Sequence, residues 1–185
     1  MSFFSTTATL HHTTPLPSGT TFASALAHLQ NHDLLIRLDP ELAHYETLDS
    51  DPSTPNTKRY KVTDHMHTLP KGLWDTTVTF ESLITNTDEG VEWVIKAPLG
   101  LVQSTRWRIV RAGEEEEEGK GRVVNGGQDE DMVEKEEKED WCLVEDVEIK
   151  ASRLLVGTVR GKCEENWRGI HGRFVGHLVG GEVKA

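Results

Sequence analysis

Cysteine is nearly absent from this chain: Cys142 and Cys163 are the two among 185 residues. Their separation fits no metal-ligand spacing and no disulfide framework, so both read as reduced, packed thiols. Long apolar runs are missing too. No stretch approaches the roughly 20 residues that a bilayer-spanning helix needs, and no transmembrane segment is expected. The first residues, Met1-Ser2-Phe3-Phe4-Ser5-Thr6-Thr7, lack the basic flank and sustained apolar core of a secretory signal, which points to a cytoplasmic protein. Positive charge is scarce, with 20 Lys and Arg against 31 Asp and Glu. Without a basic stripe or a recognition motif, nucleic acid is not an expected partner. A G-x-S-x-G elbow, a P-loop, a dinucleotide fingerprint and a cysteine-nucleophile signature are also lacking, so neither a reaction nor a cofactor is announced.

The net charge of −11 is unevenly placed. Residues 113–140 hold thirteen acids and four bases, a contribution of −9, and the other 18 acids and 16 bases leave −2. The low isoelectric point therefore describes an insertion, not the body of the protein. Residues 112–140 cannot bury enough apolar surface to offset their ordering entropy and read as an acidic, disordered loop inserted in a hairpin. Such a block is usually a solvated loop, and docking of a basic partner is its alternative. The remainder is the size of one domain, taken as 1–185.

Along the chain, the threonine-rich segment from Thr6 to His12 reads as an edge-like strand ended by Pro15 and Pro17. Ser18 is positioned to cap a helix burying Phe22, Ala25, Leu26 and Leu29, and a second short helix carries Leu34, Leu35 and Leu38 before Asp39-Pro40 stops it. The period then changes to two. Leu42 to Leu48 forms a short strand. Tyr60, Val62, Asp64 and Met66 share one face of the next; Trp74, Thr76, Val78, Phe80, Ser82 and Ile84 of another; Val91, Trp93, Ile95 and Ala97 of a third. Leu101, Gln103, Thr105, Trp107 and Ile109 follow, and Trp141, Leu143, Glu145, Val147 and Ile149 complete the set. Such alternation describes antiparallel strands with one buried and one wet face.

The last segment, 154–178, is helical in period. Val156, Val159, Cys163, Trp167, Ile170, Phe174 and Leu178 recur at three- and four-residue steps and form one apolar stripe. Gly157, Gly161, Gly169, Gly172 and Gly176 follow a second such line. Each costs about 0.5–1 kcal/mol against alanine inside a helix. A line of missing side chains implies either close approach of a neighbouring backbone or space beneath the helix.

The order of strand, two short helices, about six antiparallel strands and a long C-terminal helix resembles the START-like, or SRPBCC, helix-grip superfamily across nearly the whole chain outside the acidic insertion. More narrowly, Leu38-Asp39-Pro40-Glu41, Tyr60-Lys61-Val62-Thr63-Asp64-His65, Gly72-Leu73-Trp74-Asp75, Trp93-Val94-Ile95-Lys96-Ala97-Pro98-Leu99-Gly100 and Cys163-Glu164-Glu165-Asn166-Trp167-Arg168 look like an uncharacterised fungal domain family. The resemblance implies an α+β fold: a curved antiparallel sheet of six to seven strands gripping the last helix around a cavity. Superfamily members use that cavity for lipids, hormones and polyketides, some as carriers and some as cyclases or hydrolases. No superfamily catalytic set is matched here.

The expected ligand is hydrophobic or amphiphilic. Trp74, Phe80, Trp93, Trp107, Trp167, Ile170 and Phe174 would wall its site, with Asp64, Gln103 and Glu145 orienting a polar end. An inward Asp64 or Glu145 would have a raised pKa, as acid–base catalysis requires, but either could equally be a hydrogen-bonded strand-end residue. His65 and His67 share a strand face and His11-His12 could lie nearby. With no third ligand fixed by spacing they read as surface histidines, and no metal is expected. His171 and His177 read as core or rim residues.

Overall fold

The computed structural model describes residues 5–66, 76–113 and 140–181. Trp74 and His67 lie outside them, as does the acidic insertion apart from its attachment residues. The chain runs β1 (Ser5–Pro15), α1 (Phe22–Leu29), α2 (His32–Arg37), β2 (Leu42–Leu48), β3 (Thr57–Met66), β4 (Thr76–Asn86), β5 (Gly90–Ala97), β6 (Leu101–Arg111), β7 (Trp141–Ser152) and α3 (Arg153–Gly181). The seven strands form one antiparallel sheet in the order β1-β7-β6-β5-β4-β3-β2. Sequential strands pair except where α1 and α2 carry the chain from one edge to the other.

Period-two patterning sets the faces. Leu10 opposes Val147, which opposes Thr105, which opposes Trp93, so one continuous side of the sheet turns toward α3. One close approach fixes the β5–β6 pairing. A Cβ on Gly90 would stand 1.9 Å from the Trp107 carbonyl oxygen, so only glycine fits there.

The two short helices form as expected with one correction. Ser18 is not the cap of α1. The turn from Pro17 to Thr20, with Gly19 at φ +91°, delays the helix, and Thr21 Oγ1 accepts from Ser24 N–H at 3.1 Å instead. Asn31 Oδ1 caps α2 by accepting from Leu34 N–H at 3.2 Å.

The helix α3 lies mainly on β1, β7 and α1. Its apolar stripe faces the sheet: Val156, Phe174 and Leu178 are buried, while Val159, Cys163, Trp167 and Ile170 are half-buried. The glycine line does neither of the things expected of it. Gly157, Gly161, Gly169, Gly172 and Gly176 are all exposed, and a Cβ at any of them would meet open space. At about 100° per residue they sit roughly half a turn from the apolar stripe, on the solvent side, so they neither admit a neighbour nor roof a hollow.

The interior divides into two apolar clusters. The larger joins α1 and α2 to Ile84, Val91, Ile109, Leu143, Phe174 and Leu178. The smaller, at the start of α3, gathers Leu10, Val147, Ile149, Ala151 and Val156. Between them lies a polar layer.

Candidate functional site

Antiparallel pairing of β1 with β7 places His12 directly opposite Glu145, and pairing of β7 with β6 places Glu145 opposite Trp107. All three point toward α3, where His171 lies on the helix face that meets them. His12 donates from Nδ1 to Glu145 Oε2 at 2.8 Å, and His171 Nε2 approaches the same oxygen at 3.4 Å. His171 Nδ1 is hydrogen-bonded to Thr14 Oγ1 at 2.8 Å. Trp167 stacks on His12 with ring centroids 4.6 Å apart and planes within 9°, and His171 meets both Trp107 and Trp167 edge-on. Toward solvent, Glu164 Oε2 stands 3.5 Å from His12 Nε2.

This histidine–glutamate–histidine layer was only partly visible in the sequence. Glu145 was a candidate. His12 is not the surface residue that spacing suggested; it is buried because the β1–β7 register turns it inward. His171, 1% exposed, is a core residue in a polar role. His65 remains exposed, and among the described residues no group of His, Cys, Asp and Glu has the arrangement of a metal site.

The other expected wall residues occupy the inner face in two states. Trp107 and Phe174 are fully buried, whereas Phe80, Trp93, Gln103, Trp167 and Ile170 are half-buried. The difference follows the strands. Near α1 the inner face is closed, with Ile84, Val91 and Ile109 inaccessible; further along β4, β5 and β6, Phe80, Ile95 and Gln103 are partly open. Trp93 Nε1 donates to Ser82 Oγ, so that pair is satisfied. Trp107 Nε1 is a buried donor with no acceptor among the described residues.

Asp64 lies on this same face, and its Oδ1 is buried without a partner among the described residues. Burial, reinforced by the charges of Asp39 and Glu41, pushes its carboxyl up to about 7. Desolvation also raises Asp39, although the Glu41 N–H donates to it at 2.8 Å. Burial and the carboxylate of Glu145 push the Cys163 thiol up to about 12, and its Sγ–H points to Gln103 Oε1 at 3.8 Å.

Two hollows, of about 660 and 440 Å3, lie on the opposite face of the sheet. The larger runs over β1, β7, β6 and β5 past His11, Asp146, Arg106 and Glu92. There Asp146 bridges His11 and Arg108 at 2.7 and 3.0 Å, and these hydrogen bonds outweigh burial to hold its carboxyl low. No local pattern marks this outer hollow, since its residues alternate as an ordinary wet face.

Comparison with solved structures agrees on the architecture. The chain is similar to Ara h 8.0201 (12% identity, TM-score 0.56, covering 95% of this chain and 99% of that one). It is similar to the aromatase/cyclase ZhuI from Streptomyces sp. R1128 (10%, 0.61, 94% and 94%). A third similar structure is the di-domain aromatase/cyclase BexL from the BE-7585A biosynthetic pathway (11%, 0.58, 93% and 50%). At these identities the likeness establishes the helix-grip fold alone. No curated protein matches the sequence. The model of a domain of unknown function, DUF7053, matches residues 5–179, nearly the whole chain, and the protein belongs to that family.

Proposed function

We propose that this chain is a single START-like domain that binds a hydrophobic or amphiphilic small molecule between the sheet and α3. The observation that carries the reading is the gradient of burial along the inner face. Phe80, Trp93, Ile95, Trp167 and Ile170 stay half-buried although they point into the fold, while their strand neighbours near α1 are closed off. Apolar surface of that kind favours an occupant that removes it from water. Gln103, Asp64 and the Trp107 indole N–H supply hydrogen-bonding groups for a polar end. Trp74, beyond the described residues, belongs to the same proposed wall by its place in the sequence pattern.

Native mass spectrometry and solvent extraction of the purified protein test this directly. A co-purifying apolar molecule is expected, together with displacement by a fluorescent fatty-acid probe. Substituting Ile170→Asp or Phe80→Asp should weaken probe binding at least tenfold, on the order of the free energy of burying one such side chain. Failure of the native protein to bind any apolar probe would sink the reading.

Asp64 favours a second reading, polyketide-cyclase-like or hydrolase-like catalysis. A carboxyl titrating at about 7 is poised to give or take a proton at neutral pH. Glu145, held between two histidines, is the other candidate. This reading requires a pH-dependent turnover that is lost in Asp64→Asn or Glu145→Gln while folding is retained; full activity in both removes it.

A further inference from the structure

Four large apolar side chains are markedly exposed among the described residues, and three of them gather at one end of the sheet. Leu99 is 87% exposed in the Pro98–Gly100 turn that joins β5 to β6. Val102 is 36% exposed on the first rungs of β6, and Leu154 is 84% exposed in the first turn of α3. Pairing Val102 with Lys150 sets the β5–β6 turn beside the end of β7, where α3 begins. Leu99 also has φ +61°, a left-handed backbone conformation in which a branched side chain is disfavoured. A leucine held there in water has neither a conformational nor a packing reason to be leucine, and such outliers gather at functional segments.

Bases predominate around this tip, although Glu81 stands opposite Lys96 and the exposed Glu148 shares a sheet face with Lys150. Lys96, Val102 and Lys150 form a single rung across β5, β6 and β7, and Arg153 precedes Leu154. Lys96, Lys150 and Arg153 are exposed, and none has an ion-pair partner among the described residues. The nearest acid across the sheet, Glu81, is taken by Arg59 at 2.7 Å. The acidic insertion attaches at the other end: β6 runs its 11 residues, roughly 33 Å, from this tip to the Arg111 side. A chain of net charge −11 thus keeps three bases, without an ion-pair partner among the described residues, beside its exposed leucines.

We infer that this tip is a docking surface for an anionic lipid bilayer. Leu99, Leu154 and Val102 would enter the boundary between headgroups and acyl chains, with Lys96, Lys150 and Arg153 held at the lipid phosphates and carboxylates. The pairing of apolar insertion with adjacent cationic charge is what interfacial attachment needs, and charge complementarity selects the membrane over an apolar protein partner. The tip also lies at the end of the sheet where the inner face is partly open. The inference stands on the surface residues and does not depend on the ligand reading.

The full chain should sediment with phosphatidylcholine vesicles containing phosphatidylserine, more weakly with phosphatidylcholine alone, and release as salt is raised. The double variant Leu99→Ser with Leu154→Ser should weaken vesicle binding at least about tenfold, since attachment scales with inserted apolar area. Both side chains are solvent-exposed, so its thermal unfolding should match that of the native protein and confirm a folded variant. Lys96→Glu with Lys150→Glu should weaken binding to anionic vesicles and abolish the salt response. No binding to anionic vesicles, or equal binding by the leucine variant, overturns the inference. A native dimer that the leucine variant abolishes, without vesicle binding, reassigns the tip to a second copy of the chain.

Discussion

His12 and Glu145 face each other across the β1–β7 pairing, joined by a 2.8 Å hydrogen bond inside the protein although 133 residues separate them in sequence. Around this bond His171 arrives from α3, hydrogen-bonded through Nδ1 to Thr14 of β1 and with Nε2 3.4 Å from the same carboxylate, so an edge strand, its neighbour and the C-terminal helix meet here. The interaction lies between the two apolar clusters, where water cannot easily replace a lost partner.

Replacing Glu145 with Gln should therefore destabilise the fold by about 1–3 kcal/mol, because a buried imidazole N–H loses its charged acceptor. Urea unfolding at neutral pH measures this. A double-mutant cycle with His12→Phe should return a coupling of about 0.5–3 kcal/mol, as expected for residues in direct contact. Additive effects would show that the contact is dispensable.

Asp64 makes stability fall with rising pH. Its folded pKa of about 7 exceeds its ordinary value of 3.8, so between those values the folded state holds a proton that the unfolded state has released. Its favourable contribution is fully present below about pH 4 and is lost as pH rises through about 7. Asp39, raised in the same direction, adds to the slope. Asp64→Asn should flatten that decline in chemical-denaturation curves taken from pH 4 to pH 8 and should exceed the native protein in stability at the alkaline end. An unchanged slope would show that Asp64 is solvated.

The outward glycines of α3 set up a contrast. Gly169→Ala and Gly172→Ala place a methyl group in open space and should each stabilise the protein by about 0.5–1 kcal/mol through helix propensity. Gly90→Ala drives its methyl onto the Trp107 carbonyl and should destabilise it. Thermal unfolding of the three variants checks both signs. A loss of stability in the helix variants would mean that their glycines are covered in solution.

Cys163 should be a poor nucleophile. With its thiol pushed up to about 12, hardly any thiolate is present at pH 8, and Cys142 is buried. Reaction of the native protein with a thiol-exchange reagent should be slow and should become rapid for both cysteines in denaturant. Fast labelling of Cys163 under native conditions would show that its half-buried thiol is open to solvent and not held protonated.

The elements themselves were legible in the sequence because their signals are local. Alternation in β3 to β7 identified the inward faces, and three- and four-residue spacing identified the buried stripe of α3, since each pattern reflects the geometry of one element. The solvent-facing glycines are legible too in principle, as their offset from the apolar stripe is a matter of helical angle; without that offset they imply either a closely packed neighbour or a hollow beneath, and the structure shows neither. What no local pattern contained was register. Whether His12 faced Glu145 or water depended on how β1 slid along β7, and a shift of one residue would have sent it outward and brought His11 in. His171 joined that pair only because α3 crosses β1 and β7 at that level. Sequence alone determined the composition of each face. Pairing between distant strands, fixed by burying those faces together, decided which polar groups meet.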